Sequence, residues 1–333
     1  MNSRLLSVAP MMGWTDRHAR YFLRLISKHT LLYTEMVTTA ALRHGNTKQF
    51  LAHHERENPL ALQLGGSDPV ELAWSAQQAE EAGYDEVNLN VGCPSDRVRS
   101  GSFGACLMAT PERVAECVAA MQERIDIPAT VKCRIGIDSM ESYEAFEDFI
   151  RIVADAGCDT FIVHARKAWL KGLSPKQNRE IPPLKYDYVY RLKDEYPQLT
   201  IVINGGIKTL AEAQQHLQKV DGVMIGREAY HNPWILAEAD RVIYGDRSRS
   251  VLSRADIVMQ MCEYIDREVA EGVPLHAITR HILGLYQGCP GARMWRRHLS
   301  ENSHAENADS AVVKQAMEKV EAILSSRTYN IAS

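Results

Sequence analysis

The sequence predicts an α/β protein, a TIM (β/α)8 barrel followed by a small C-terminal all-helical domain. Three observations carry this. Short β-branched or apolar runs that stop at Gly, Pro or Asn occur eight times, stretches of helical periodicity lie between them, and from about residue 254 onward the helical pattern continues with no strand run.

In chain order the runs are LLSVAP (5–10), LLYTEM (31–36), LALQLGG (60–66), EVNLNVG (86–92), ATVKCRIG (129–136), TFIVHAR (160–166), TIVINGG (200–206) and GVMIGR (222–227). The helical stretches include PVELAWSAQQAEEAGY (69–84), TPERVAECVAAMQERI (110–125), SYEAFEDFIRIVADAG (142–157) and LAEAQQHLQKV (210–220). Strand–helix alternation predicts a parallel sheet, and eight such units predict a closed barrel. A doubly wound sheet and a Rossmann fold are weaker readings, because no G-x-G-x-x-G follows the first strand and no P-loop occurs. YGDRSRS (244–250) marks a boundary near residue 244, with the barrel over 1–243 and a helical domain over 244–333.

The 333 residues can bury a large core, and 45% hydrophobic with 24% charged residues is ordinary globular composition. No apolar run approaches the roughly 18 to 20 residues of a membrane span. The opening MNSRLLSVAPMMGWTD does not read as a secretory signal, so the cytoplasm is the expected compartment and no membrane partner is expected. The seven cysteines are odd in number and never form C-x-x-C, which points to neither a disulfide framework nor a metal site. The usual fate of such a cysteine is that of a small buried hydrophobe, which Cys93 must escape on context.

A net charge of −4 excludes a uniformly basic nucleic-acid binder. Two local clusters remain: Arg166, Lys167, Lys171, Lys176 and Arg179 within 164–179, and Arg280, Arg293, Arg296 and Arg297 within 272–300, both without an acid. A solvated helix face is the commonest fate of such charges. Trp169 and Trp295 sit inside these runs, as nucleotide stacking platforms or as interior anchors.

In a barrel the active site lies at the C-terminal ends of the strands. Polar residues recur there: Gln63, then Asn88 and Asn90, Lys132 and Arg134, His164 and Arg166, and Asn204. Residues two apart share a face, so each pair within a strand points one way. One such residue could be a hydrogen-bonded rim group, but five consecutive strands behaving alike imply a common mouth. NGGI (204–207) and IGR (225–227) follow the last two strands, where glycine backbone, a helix N-terminus and Arg227 can cradle a phosphate. A tight turn alone would also use Gly205 and Gly206. A phosphate there, with Gln63, Asn90, Lys132 and His164 available to a flat polar ring, suits flavin mononucleotide (FMN), although another phosphorylated ligand stays open.

APMMGWTD (9–16), TEMV (34–37), LQLGG (62–66), NLNVGCPSDRV (88–98), VKCRIG (131–136), HAR (164–166), NGGI and GR (226–227) together resemble the tRNA-dihydrouridine synthases. The resemblance runs from residue 5 to about 300. HARKAWLKGLSPKQNREIPPL and GARMWRRHLSE are similar to the bacterial A-type subgroup, which acts on uridines 20 and 20a of the tRNA D-loop. The resemblance implies an FMN enzyme that takes reducing equivalents from NADPH and reduces the C5–C6 bond of uridine. It places Pro10, Met11, Met12 and Gly13 along the flavin ring, Gly13 through its backbone only, and Gln63, Lys132 and His164 at the polar edge. Asn204, Gly205, Gly206, Gly226 and Arg227 fall at the ribityl phosphate, and Cys93 at the proton donor. Lys176, Arg179, Arg293 and Arg296 match the subgroup's tRNA-contacting positions, and Asn90 is placed to meet the target base.

Hydride delivery to C6 leaves enolate-like charge over C5 and O4, so C5 needs a proton from the opposite side. A thiol on the loop after the fourth strand can supply it, because free thiols with pKa near ~8.5 are mostly protonated at neutrality. The target base must be turned out of the folded tRNA, at a cost of about a few kcal/mol in unstacking. Two other readings remain: a barrel acting on a free pyrimidine, of the dihydroorotate dehydrogenase type, and a non-catalytic tRNA-binding protein. The first has no need of the Arg-rich helical appendage, and the second gives Cys93, Lys132 and His164 no task. A monomer is expected, since an elongated tRNA needs an open face.

Overall fold

The computed structural model describes residues 3–331 apart from 97, 99, 100, 249 and 251, and the side chains of Ser3 and 327–331 are not described. Arg97, inside the cysteine motif, therefore lies outside the described residues. Eight parallel strands close in chain order into a barrel. They are β1 (Leu6–Val8), β2 (Leu31–Thr38), β3 (Leu60–Gly65), β4 (Glu86–Val91), β5 (Ala129–Arg134), β6 (Thr160–His164), β7 (Thr200–Asn204) and β8 (Gly222–Ile225). All eight expected runs become strands, and the fold is the expected (β/α)8 barrel.

Register carries the site. Gln63 pairs with Asn88, Asn90 with Lys132, Arg134 with His164, His164 with Asn204, and Asn204 with Met224. One inward face thus steps around the barrel, as period-2 alternation requires. Against this polar tier lies an apolar cluster of Ala9, Leu31, Tyr33, Ala61, Ile162, Val202 and Met224, with Met11 packed on it. The alternate residues, such as Leu89, Val131, Val163 and Ile203, are fully buried on the strands' other face, as expected for a parallel sheet covered by helices.

The helices start where side chains can cap them. Asp68 accepts from the Glu71 N–H ahead of Pro69–Glu81, Ser142 from Ala145 ahead of Tyr143–Asp155, and Thr209 forms a reciprocal box with Glu212.

The chain divides into two compact units, Met1–Gly13 with His29–Gly226, and Trp14–Lys28 with Arg227–Ser333. The division differs from a boundary near residue 244. Its cause lies in the second unit, where the helix Arg17–Ile26 finds its partners. His18 Nδ1 lies 2.7 Å from the Tyr264 hydroxyl, the Tyr21 and Tyr264 rings stack at 4.0 Å, and Arg17 donates to Glu268 at 3.1 Å. Asp16 caps that helix and binds Arg280 at 2.7 Å. Further along, Trp295 is fully buried on the helix Ala292–Asn302 and donates its indole N–H to Ile282 O at 3.0 Å. Among the described residues no helix is long and apolar enough to cross a membrane.

Candidate active site

Inside the first unit, a chain of hydrogen bonds climbs from the barrel floor to the loop after β4. Glu86, buried, accepts from Arg4 Nε at 3.1 Å, from the Tyr33 hydroxyl at 2.6 Å and from Thr130 at 2.7 Å. Asn88 Nδ2 donates to Thr130 at 2.9 Å, Gln63 Nε2 to Asn88 Oδ1 at 2.8 Å, and Asn90 Nδ2 to Gln63 Oε1 at 2.8 Å. Each amide is oriented by the one below it, because swapping O and N at any step would set like groups together.

Asn90 completes the chain by accepting from the backbone N–H groups of Gly92 at 3.1 Å and Cys93 at 2.9 Å. Sequence reasoning placed Asn90 toward a base. The structure engages both ends of its amide within the protein, leaving one Nδ2 hydrogen for a ligand.

Cys93 is held by its backbone on both sides. Its N–H goes to Asn90, its carbonyl accepts from Ala105 N–H at 2.9 Å, and the preceding Gly92 carbonyl accepts from Arg134 Nε at 2.8 Å. Gly104, at φ +74°, makes the close approach possible: a Cβ there would lie 2.7 Å from the Cys93 carbonyl oxygen. The thiol is half-buried, with Sγ 3.5 Å from Ser95 Oγ. A cavity of about 490 Å³ opens beside it, lined by Pro94, Asp96 and residues 170–175.

Lys132 donates to Asn204 Oδ1 at 3.3 Å, and Asn204 in turn donates to Met224 O at 2.7 Å. Burial foremost, then the Arg134 guanidinium, pushes Lys132 down to about 8. His164 is held well below its ordinary value, by burial first and then by Arg134, Lys132, Arg166 and Arg179, so it is neutral near pH 7. Its Nδ1 is buried without a hydrogen-bond partner among the described residues. Gly205 lies against it, where a Cβ would come within 3.3 Å of His164 Nε2. The Gly205 carbonyl accepts from Tyr186 at 2.6 Å, and a Cβ on Gly206 would sit 2.9 Å from that hydroxyl. Tyr186 had no signal in the sequence, since its partner lies 19 residues away with no shared periodicity.

The structure thus brings Gln63, Asn90, Cys93, Lys132, His164, Asn204, Gly205 and Gly206 onto neighbouring strand ends and loops of one barrel mouth. After β1, Pro10 and Met11 are half-buried, Met12 is 66% exposed, and Gly13, at φ +76°, donates its N–H to Glu35. Gly226 ends the first unit, and a Cβ there would meet only Ala9 Cβ, at 3.9 Å. Arg227 begins the helix Arg227–His231, assigned to the second unit. Lys176 and Arg179 are exposed on the loop after β6, which Asn178 shapes by holding Trp169 N–H and O and Leu173 O at 2.8–3.2 Å. In the second unit Arg293 is exposed and Arg296 is half-buried, donating to Gln287 at 2.9 Å. Arg134 stood among the strand-end residues in the sequence, but nothing local revealed that its hydrogen bonds among the described residues would all go to backbone carbonyls.

A family model described as Dihydrouridine synthase (Dus) matches residues 7–323. A protein of Vibrio parahaemolyticus named tRNA-dihydrouridine(20/20a) synthase is 59% identical over 316 residues, covering 95% of this chain and 96% of that one. Proteins of the same name are 60% identical over 318 residues in Shewanella oneidensis, covering 96% and 94% of the two chains, and 60% identical over 315 residues in Escherichia coli K12, covering 94% and 91%.

Proposed function

The chain belongs to the dihydrouridine synthase family, and from that premise we propose that it reduces the C5–C6 double bond of uridines 20 and 20a in the tRNA D-loop, with FMN bound and NADPH as reductant. The observation that carries the reading is the Cys93 thiol, fixed by its own backbone in the mouth that also holds Lys132 and His164.

The residues present fit FMN. Among the described residues the buried Nδ1 of His164 lacks a partner and Lys132 is a cation with a single long hydrogen bond, and the Gly226 position is open toward Ala9. Gln63, Lys132 and His164 would hold the polar edge of the ring and Pro10 to Gly13 its side, while Asn204, Gly205, Gly206, Gly226 and Arg227 would take the phosphate region. Bound there, FMN would supply hydride chemistry at uridine C6, with NADPH as the reductant.

Cys93 then gives its proton to C5, forming the C5–H bond as the S–H bond breaks, and the thiolate recovers a proton from solvent. Lys132, which lies within electrostatic reach of Cys93, stabilises that thiolate while it lasts. The remaining N–H of Asn90 contacts the flipped base. Lys176 and Arg179 on the barrel unit, and Arg293 and Arg296 on the helical unit, grip tRNA phosphates. The reaction needs no metal ion. A monomer acting in the cytoplasm, where tRNA is modified, completes the reading.

The test is to incubate the purified protein and NADPH with tRNA from cells lacking dihydrouridine, then map the product by position. Dihydrouridine at 20 and 20a is expected, and its appearance elsewhere in the D-loop would overturn the assignment of positions. A yellow protein that consumes NADPH yet leaves tRNA unmodified would point to a free pyrimidine instead.

A further inference from the structure

We infer that Arg134 is a positioning residue that joins the loop carrying Cys93 to the basic loop after β6, so that tRNA seated on one loop sets the thiol on the other. The inference rests on Cys93 as proton donor and extends it.

Arg134 closes β5 on the same face as Lys132 and is 5% exposed. Among the described residues, all its hydrogen bonds go to backbone carbonyls. Nε donates to Gly92 at 2.8 Å, and Nη1 reaches Lys167 at 3.1 Å, Asn178 at 3.2 Å and Arg166 at 3.5 Å. One side of the guanidinium thus grips the peptide next to Cys93, and the other grips both ends of the segment that bears Trp169, Lys171 and Lys176. Among the described residues the ionisable groups that act on it are Cys93, Arg166 and Arg179, with no carboxylate among them.

A buried cation without an acid is costly, and burial first, then Arg179 and Arg166, pushes Arg134 down to about 10. A residue serving stability alone would be better replaced by an apolar one. What only a planar fork provides is simultaneous, directional contact with two loops. The Asn178 side chain transmits shape along the second loop, since it holds Trp169 and Leu173 while its own carbonyl accepts from Arg134.

The test uses the FMN-loaded protein with Arg134→Lys, which keeps the charge but loses the fork, and Asn178→Ala, which loosens the far loop without touching β5. In single-turnover measurements, Arg134→Lys should leave NADPH-driven flavin reduction unchanged and slow flavin reoxidation at saturating tRNA by at least about tenfold, a share of what general acid catalysis supplies. In the absence of NADPH and tRNA, alkylation of Cys93 by iodoacetamide, mapped by mass spectrometry, should speed up several-fold in either variant while Cys106 reacts as before. The double variant should show no further gain, because the two residues act through one connection. Unchanged Cys93 alkylation in both variants, additive effects, or an equal loss in flavin reduction would overturn the inference. If tRNA fails to reoxidise the wild-type flavin, the proton-donor reading falls on its own, and the alkylation series still decides whether the two loops are joined.

Discussion

Gln63 and Asn90 lock each other's amides: the Asn90 Nδ2 donates to Gln63 Oε1 at 2.8 Å, while Gln63 Nε2 is already committed to Asn88. Asn90→Asp keeps the acceptor that caps Gly92 and Cys93 but sets oxygen against oxygen at Gln63. Relief by rotating Gln63 would break its bond to Asn88, so one buried bond is lost either way, about 1–3 kcal/mol. The variant is expected to melt several degrees lower and to turn over tRNA at least about tenfold more slowly. A wild-type melting curve together with wild-type turnover would show that the amide chain does not govern the Cys93 loop.

Lys132 gives the cofactor site a pH dependence. Its ammonium, pushed down to about 8 by burial and Arg134, is charged below that pH and neutral above it in the unliganded protein. The carbonyl-bearing edge of the ring accepts a stronger hydrogen bond from the charged form, so FMN affinity should fall as pH rises through about 8, with proton uptake on binding in that range. Lys132→Met should bind FMN more weakly and lose this dependence, which fluorescence titration of the apoprotein measures directly.

The second half of the APMMGWTD motif is architectural. Asp16 caps the helix Arg17–Ile26 through the N–H groups of His18 and Ala19, and its Oδ2 meets His281 Nε2 at 2.8 Å and Arg280 at 2.7 Å. Burial pulls its pKa up, but the His281 hydrogen bond and charge, the Ala19 N–H and Arg280 outweigh burial and leave it well below the ordinary carboxylate range. The folded value is depressed, so the stabilisation is present above the unfolded pKa of ~3.9 and is lost as pH falls below it. Asp16→Asn keeps an N-cap and removes the charge. It should cost about 2 kcal/mol at neutral pH, with the deficit shrinking below about pH 4 in urea titrations.

The eight strands were legible because each is short and largely apolar and most are closed by Gly, Pro or Asn, and the site residues because period-2 alternation points Lys132 with Arg134, and Asn88 with Asn90, at one mouth. Local pattern fails where a residue's partners lie far along the chain. The helix Arg17–Ile26 reads as a barrel crossover, yet its Tyr21 and His18 pack on Tyr264, more than 240 residues away. The carbonyls around Arg134, and the two backbone N–H groups that turn Asn90 inward, are likewise features of loops whose shape no spacing encodes.

The basic residues differ in what they can give to a phosphate. Arg293 is exposed, whereas Arg297 on the same helix is paired with Glu301 at 2.7 Å. Replacing Lys176, Arg179, Arg293 or Arg296 by Ala should each lower the salt slope of tRNA binding by about 1. Arg297→Ala should lower it less, because that guanidinium already has a counter-charge. Equal slopes for all five variants, in filter-binding titrations against salt, would count against these positions as the phosphate grip.

The two tryptophans in the basic runs separate by the same reasoning. Trp295 is fully buried, donates to Ile282 O at 3.0 Å and packs 4.9 Å from the Tyr286 ring, so it anchors the helix Ala292–Asn302 from inside. Trp295→Ala should cost about 3–5 kcal/mol through the cavity and the orphaned carbonyl. Trp169 is 39% exposed with Lys167 Nζ 4.1 Å over its ring, and only its backbone is bound by Asn178. Its replacement by Ala should change stability by no more than about 1 kcal/mol while weakening tRNA binding by the ~1–3 kcal/mol that a stacked base contributes. Paired melting and binding measurements on both variants decide it. A Trp169 variant that binds tRNA as the wild type does would assign the exposed ring to steadying Lys167 rather than to contacting nucleotides.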